Sequence, residues 1–264
     1  MSVGIVLYTS TKGHFGYRDC YKETVEHLQK QFPATFENTF YNEIHKLAHI
    51  KVSPDETDLI QDMQTFLFAK DFQVLTTEKE WNHNNISHAN GYYADMLKCF
   101  SNPQVLRQEL VLFLEDDWLI STHYESMLSV INYAVAFMRQ NPNKLCLRIN
   151  RDTDKVPDFK ILKHAQESGH LLILEQGPKA TPYGPTMTFQ PTFVRPREWY
   201  HALRLINNRV AKDPDLLEKY HCELISGDTM KVFSDDPSPF CFFGQGLVDA
   251  EHIGEKERCE NLIK

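Results

Sequence analysis

The chain of 264 residues is 42% apolar and 24% charged, ordinary globular usage that excludes disordered and fibrous classes and allows about two domains or one large α/β domain. Its 36 carboxylates exceed 28 basic side chains, giving a net charge of −8 and a pI near 5.8, which argues against a protein that coats nucleic acid or anionic lipid. Six cysteines without a Cys-x-x-Cys pair, no basic segment ahead of the first apolar run, and no membrane-length apolar stretch predict reduced thiols and a cytoplasmic chain without a membrane span.

The run from Val3 to Tyr8 predicts a buried parallel strand ending in the polar turn Thr9-Ser10-Thr11-Lys12-Gly13. Residues 17–31 place Tyr21, Val25 and Leu28 on one helical face, with Pro33 as the stop. Ser53-Pro54-Asp55-Glu56 marks the start of a helix running to about residue 70, and Phe72 to Thr76 is expected to be a strand. Polar residues 81–87 predict a loop into a helix over about 87–99, closed by Asn102-Pro103. Leu110 to Leu114 is the strongest strand signal and runs directly into Glu115-Asp116-Asp117-Trp118. A helix over 124–140 and a strand over 145–150 complete the alternation. That pattern predicts an α/β fold, a mostly parallel central sheet flanked by helices.

The remainder is less regular. Strands are expected over 171–174 and 186–194, helices over 197–210 and 215–225, and residues 237–243 are rich in proline and aromatics. No repeat or linker interrupts the chain, so a single domain over 1–264 is expected, its halves meeting near residue 150.

The three adjacent acids after a buried strand are the chemical signal. In open α/β sheets ligands bind beyond the carboxyl ends of the strands. Adjacent carboxylates repel one another unless a cation or a proton relieves them. Mg²⁺ and Mn²⁺ prefer such oxygen ligands and commonly bridge one or two carboxylates to substrate phosphates. Acids also cap helices in ordinary surface turns. The five apolar residues before the trio and Trp118 after it favour the ligand site.

Leu112-Phe113-Leu114-Glu115-Asp116-Asp117-Trp118 resembles the acidic metal-binding motif of GT-A-fold nucleotide-sugar glycosyltransferases, several of which carry Glu-Asp-Asp in place of Asp-x-Asp. The opening strand with Thr9, Ser10, Thr11 and Lys12 is similar to their first strand and turn, where nucleoside sits, and Glu251-His252-Ile253-Gly254 resembles a His-Ile-Gly element of the same superfamily. The resemblance implies a Rossmann-like, GT-A-like sheet, with a nucleotide-sugar-binding first half over about 1–150 and an acceptor-binding second half over about 151–264. It implies Asp117 as direct metal ligand, Asp116 or Glu115 at the ribose or the hydration shell of the metal, and His252 as a further ligand that only the fold can bring near. Mn²⁺ suits an imidazole ligand better than Mg²⁺ does. UDP-sugar is the commonest donor of the superfamily.

An inverting enzyme needs a carboxylate base within reach of the acceptor hydroxyl. The resembled enzymes place that base near the start of a helix in the second half, which implies Glu223 as the first choice, with Glu218 and Asp228 as alternatives. A retaining enzyme would not need it. Residues 184–195 are expected on the acceptor side, with Arg195 either available to a phosphate or left at the surface. The acceptor is open: a glycan, a protein, a metabolite or a modified nucleic-acid base. The rival readings are a metal-dependent phosphoesterase or nuclease, for which Asp152 and Asp154 would supply further ligands, and a non-catalytic nucleotide-sugar-binding module.

Overall fold

The apolar run at the N-terminus forms β1 (Val3–Ser10), an inner strand of a sheet that has nine strands among the described residues of the computed structural model. The structure describes residues 2–11, 19–31, 44–53, 56–78, 85–122, 127–149, 159–161, 173–176, 191–212, 240–243 and 248–252. After β1 come α1 (Cys20–Gln31), β2 (Ile44–Val52), α2 (Asp58–Phe68), β3 (Gln73–Glu78), α3 (Asn85–Phe100) and the short α4 (Pro103–Leu106). Next are β4 (Leu110–Glu115), β5 (Trp118–Thr122), α5 (Met127–Gln140) and β6 (Cys146–Arg148). The later elements are β7 (Phe159–Ile161), β8 (Ile173–Gln176), β9 (Thr192–Val194), α6 (Pro196–Lys212), β10 (Phe240–Phe243) and β11 (Val248–His252).

The large sheet has the order β3-β2-β1-β4-β9-β6-β10-β8-β7, and β5 pairs with β11 in a separate two-stranded sheet. The pairs β1–β2, β2–β3, β1–β4 and β6–β10 are parallel, whereas β9 runs against both β4 and β6, and β8 against both β7 and β10. Within the large sheet all strands except β8 and β9 therefore share one direction, and the fold is α/β with a mostly parallel sheet. The chain steps outward from β1 to β2 to β3 and then returns to the far side of β1 as β4. The order reverses between β1 and β4, and such switch points open a crevice at the carboxyl ends of the two strands.

Helices cover both faces because strand alternation sends successive side chains to opposite sides. On one face Ile5, Leu7, Leu112 and Leu114 pack with Tyr21, Val25 and Leu28 of α1, Met63 and Leu67 of α2, and Val130, Ala134 and Phe137 of α5. On the other, Val6, Val111 and Phe113 meet Met96 and Phe100 of α3, Val105 of α4, and Trp199, Leu203 and Ile206 of α6. Among the described residues no helix is long and apolar enough to cross a membrane.

Local outcomes differ from the sequence reading at several points, α4, β2 and β5 among them. Asn102-Pro103 follows the end of α3 as expected, but it also opens α4: the Asn102 side chain accepts a hydrogen bond from the Gln104 amide at 2.8 Å, and Pro103 occupies the first turn. Asparagine is a strong N-cap, and proline at the first helical position gives up no intrahelical bond. β2 has no counterpart among the expected elements: His45, Lys46, His49 and Lys51 interrupt its apolar pattern, yet it is an inner strand with His49 and Lys51 buried.

Trp199 is fully buried, with Phe100 edge-on at 6.4 Å, and its indole N–H has no hydrogen-bond partner among the described residues. Trp199→Ala should therefore cost about 3–5 kcal/mol in urea unfolding. Trp199→Phe, which removes the unpaired N–H while keeping a ring, should cost less than about 1.5 kcal/mol.

Candidate functional site

Glu115 is the last residue of β4, Trp118 the first of β5, and Asp116-Asp117 form the turn between them. The parallel register sets Tyr8 beside Glu115, so the acidic turn and the Thr9-Ser10-Thr11 end of β1 lie together at the switch point. Asp116 is 7% exposed and Asp117 0% exposed. Removing an ionised carboxylate from water costs several kcal/mol unless cations, protons or hydrogen-bond donors compensate. The Thr9 hydroxyl donates to Asp116 Oδ2 and supplies part of that compensation.

The neighbouring hydroxyls hold the crevice walls. Thr11 Oγ1 accepts from the Ser53 amide at 2.8 Å, and the Thr11 amide donates to the Lys51 carbonyl at 3.0 Å, tying the end of β1 to the end of β2. Thr24 of α1 donates to the Asp116 carbonyl at 2.7 Å. Ser10 closes β1 half-buried.

β11 pairs antiparallel with β5 in a register that sets His252 opposite Trp118, next to Asp117 in the chain. The fold thus brings together Thr9, Ser10, Thr11, Glu115, Asp116, Asp117 and the backbone of His252. Lys12, Glu223, Glu218, Asp228, Asp152 and Asp154 lie outside the described residues. Among the described residues no three His, Cys, Asp or Glu side chains converge to hold a metal ion. A cation here would depend on the acidic turn together with other ligands, and hard carboxylate oxygens at a crevice suit Mg²⁺ or Mn²⁺ that keeps phosphate or water ligands.

Arg195 serves neither role expected of it. Its half-buried guanidinium donates to the backbone carbonyls of Met138, Asn141 (3.2 Å) and Lys144 (2.8 Å), closing the carboxyl end of α5 and the turn after it. A cation is favoured at a helix C-terminus, where carbonyls lack intrahelical partners.

On the face of α3, a polar cluster that sequence reading missed lies under the crevice. The Tyr8 ring stacks on His49 with centroids 5.3 Å apart, and Tyr8 Oη donates to Asp95 at 3.4 Å. His49 Nε2 hydrogen-bonds Thr77 Oγ1 at 2.8 Å. Burial raises the Tyr8 phenol well above its ordinary range, and nearby Asp95 adds to the effect. Asp95 also approaches His49 Nε2 at 3.8 Å, but the two do not form an ion pair at neutral pH, because burial and then Lys98 and Lys51 lower the imidazole to about 4. The sequence signal was the alternation of polar residues within β2, unreadable until the strand's neighbours are known.

No family model matches the chain, and no curated protein matches it in sequence. Solved structures do resemble it in fold. An active-site mutant of LgtC matches at 12% identity and a TM-score of 0.47, over 90% of this chain and 72% of that one. A Bacillus anthracis protein assigned as a glucose-1-phosphate thymidylyltransferase, solved with a sucrose, matches at 10% identity and a TM-score of 0.48, over 99% of this chain and 95% of that one. These are distant likenesses of overall shape. The functional reading rests on the chain's own residues.

His49 gives the fold a defined acid sensitivity. Its imidazole stays neutral when folded down to about pH 4, against an ordinary value of 6.5, so below 6.5 the unfolded chain takes up a proton that the folded chain refuses. The stability tied to neutral His49 is complete above pH 6.5 and declines as pH falls toward 4. Urea unfolding at pH 7.5 and pH 4.5 should show the wild type losing about 2.5 kcal/mol more than His49→Gln over that interval.

Proposed function

We propose that the chain is a divalent-cation-dependent glycosyltransferase of the GT-A type, which moves a sugar from a nucleoside-diphosphate donor to an acceptor hydroxyl with inversion. The observation that carries this reading is the Glu115-Asp116-Asp117 turn beside the hydroxyl-rich end of β1, at the point where the strand order reverses. That is the place where an open α/β sheet takes a ligand. The donor set fits the ion: all three side chains offer hard oxygen, and two buried neighbouring carboxylates gain from a countercharge.

Asp117 would hold the cation, with Asp116 oriented by Thr9 beside it and His252 brought near by the β5–β11 register. When bound, the cation supplies positive charge against the diphosphate leaving group. Thr9, Ser10, Thr11 and Lys12 line the nucleoside side in this reading. The acceptor oxygen forms a bond to the anomeric carbon as the bond from that carbon to the diphosphate oxygen breaks. The acceptor proton passes to a carboxylate, for which Glu223 is proposed, with Glu218 or Asp228 in its stead. Charge developing on the leaving group is the main demand, as in glycoside cleavage with an oxocarbenium-like transition state. We place the donor half in residues 1–150 and the acceptor half in 151–264 of one cytoplasmic domain, with a UDP-sugar as the first donor to try.

A thermal-shift panel of nucleotide sugars with and without Mn²⁺ tests the proposal. One nucleoside diphosphate should raise Tm only in the presence of the metal, and Asp117→Ala should abolish that rise. A panel without any stabilising nucleotide, or an equal response from the mutant, would falsify it. Glu223→Gln should keep the binding response and lose at least about a hundredfold in kcat, since general-base assistance contributes about 10²–10⁴-fold.

A further inference from the structure

β5 is the arm that carries the acidic turn away from the large sheet, and its two edges are held in different ways. One edge pairs with β11. Along the other, the carbonyls of Asp116, Trp118 and Ile120 alternate with the two-residue period of an extended strand, and α1 side chains take them where a neighbouring strand would. Thr24, fully buried, donates its one hydroxyl proton to the Asp116 carbonyl at 2.7 Å, with the Trp118 carbonyl second at 3.3 Å. His27 Nε2 bonds the Ile120 carbonyl. A carbonyl only accepts, so Nε2 carries the hydrogen, and the imidazole is fixed in that role.

We infer that Thr24 and His27 are positioning residues for the acidic turn. The Asp116 carbonyl belongs to the peptide that joins Asp116 to Asp117, so the hydrogen bond from Thr24 limits where the Asp117 backbone can go. One turn further along α1, His27 repeats the hold on the same edge of β5. The helix that follows the first strand thereby sets the carboxylates through their main chain, without contributing a ligand. A ligand site must be held closely by such supporting bonds, because each buried carbonyl left unpaired costs free energy and releases the turn. This inference rests on the proposed donor site, and its test separates the two.

The test compares Thr24→Val, which keeps the shape and removes the hydroxyl, with Thr24→Ser, which restores it. Mn²⁺-dependent UDP affinity is read by titration calorimetry, and hydrogen exchange is followed over residues 115–122, both well below Tm. Thr24→Val should bind about tenfold more weakly and exchange faster over that segment, while Thr24→Ser behaves as wild type. Wild-type affinity and exchange in Thr24→Val, or equal losses in both variants, overturn the inference. If the wild type binds no UDP, the choice of donor or the donor-site reading fails, and the exchange comparison alone decides the clamp. If Thr24→Val does not fold, His27→Phe against His27→Gln makes the same comparison, because only the glutamine amide can still donate to Ile120.

Discussion

Two adjacent carboxylates at the end of an apolar strand must be kept nearly out of water, and the rest of the structure is arranged around that requirement. Asp116 and Asp117 are 7% and 0% exposed. Self-repulsion and lost hydration both oppose the arrangement, so it persists only with compensation from nearby groups or from a bound cation. Thr9 gives a hydroxyl to Asp116, and Thr24 of α1 donates its hydroxyl proton to the Asp116 carbonyl, in the peptide that leads into Asp117. The pairing of β5 with β11 draws a distant C-terminal segment to the same turn. Sheet order, first helix and last strand thus converge on one short loop.

Strand alternation divides the acids between two environments. Asp116 follows Leu112 and Leu114 on the α1 face and meets Thr9 and Thr24, while Glu115 follows Phe113 toward the α3 face and the Tyr8–His49–Asp95 cluster. Its proximity helps keep the Tyr8 phenol protonated. The crevice therefore has a floor in which His49 is neutral, Tyr8 is protonated, and hydroxyls of Thr77 and Thr9 hold the polar atoms of their neighbours.

Much of this was legible in the sequence where one residue class dominates a segment. Leu110 to Leu114 is the strongest strand signal in the chain and forms β4, and its collision with three acids points to the place of the proposed site. Tyr21, Val25 and Leu28 likewise gave α1 its buried face. What stayed hidden depends on partners far away in the chain. β2 was obscured because His49 and Lys51 look like surface residues until β1, β3 and α3 enclose them. β5 was overlooked because Trp118 to Thr122 is short and its pairing partner starts at Val248. Arg195 looked like a phosphate ligand or a surface residue, and its engagement with the end of α5 depends on a helix that ends more than fifty residues earlier. Thr24 carries no signal at all in a one-dimensional reading, being one more small polar residue in an amphipathic helix.

The most direct measurement is equilibrium dialysis of Mn²⁺ against the wild-type chain, with and without UDP, alongside a variant in which Asp116 and Asp117 are both replaced by asparagine. A single ion should bind per wild-type chain, markedly more tightly when the nucleotide is present, and none should bind to the variant under the same conditions. Equal Mn²⁺ binding by the two proteins, or no binding by the wild type even with nucleotide present, would contradict it.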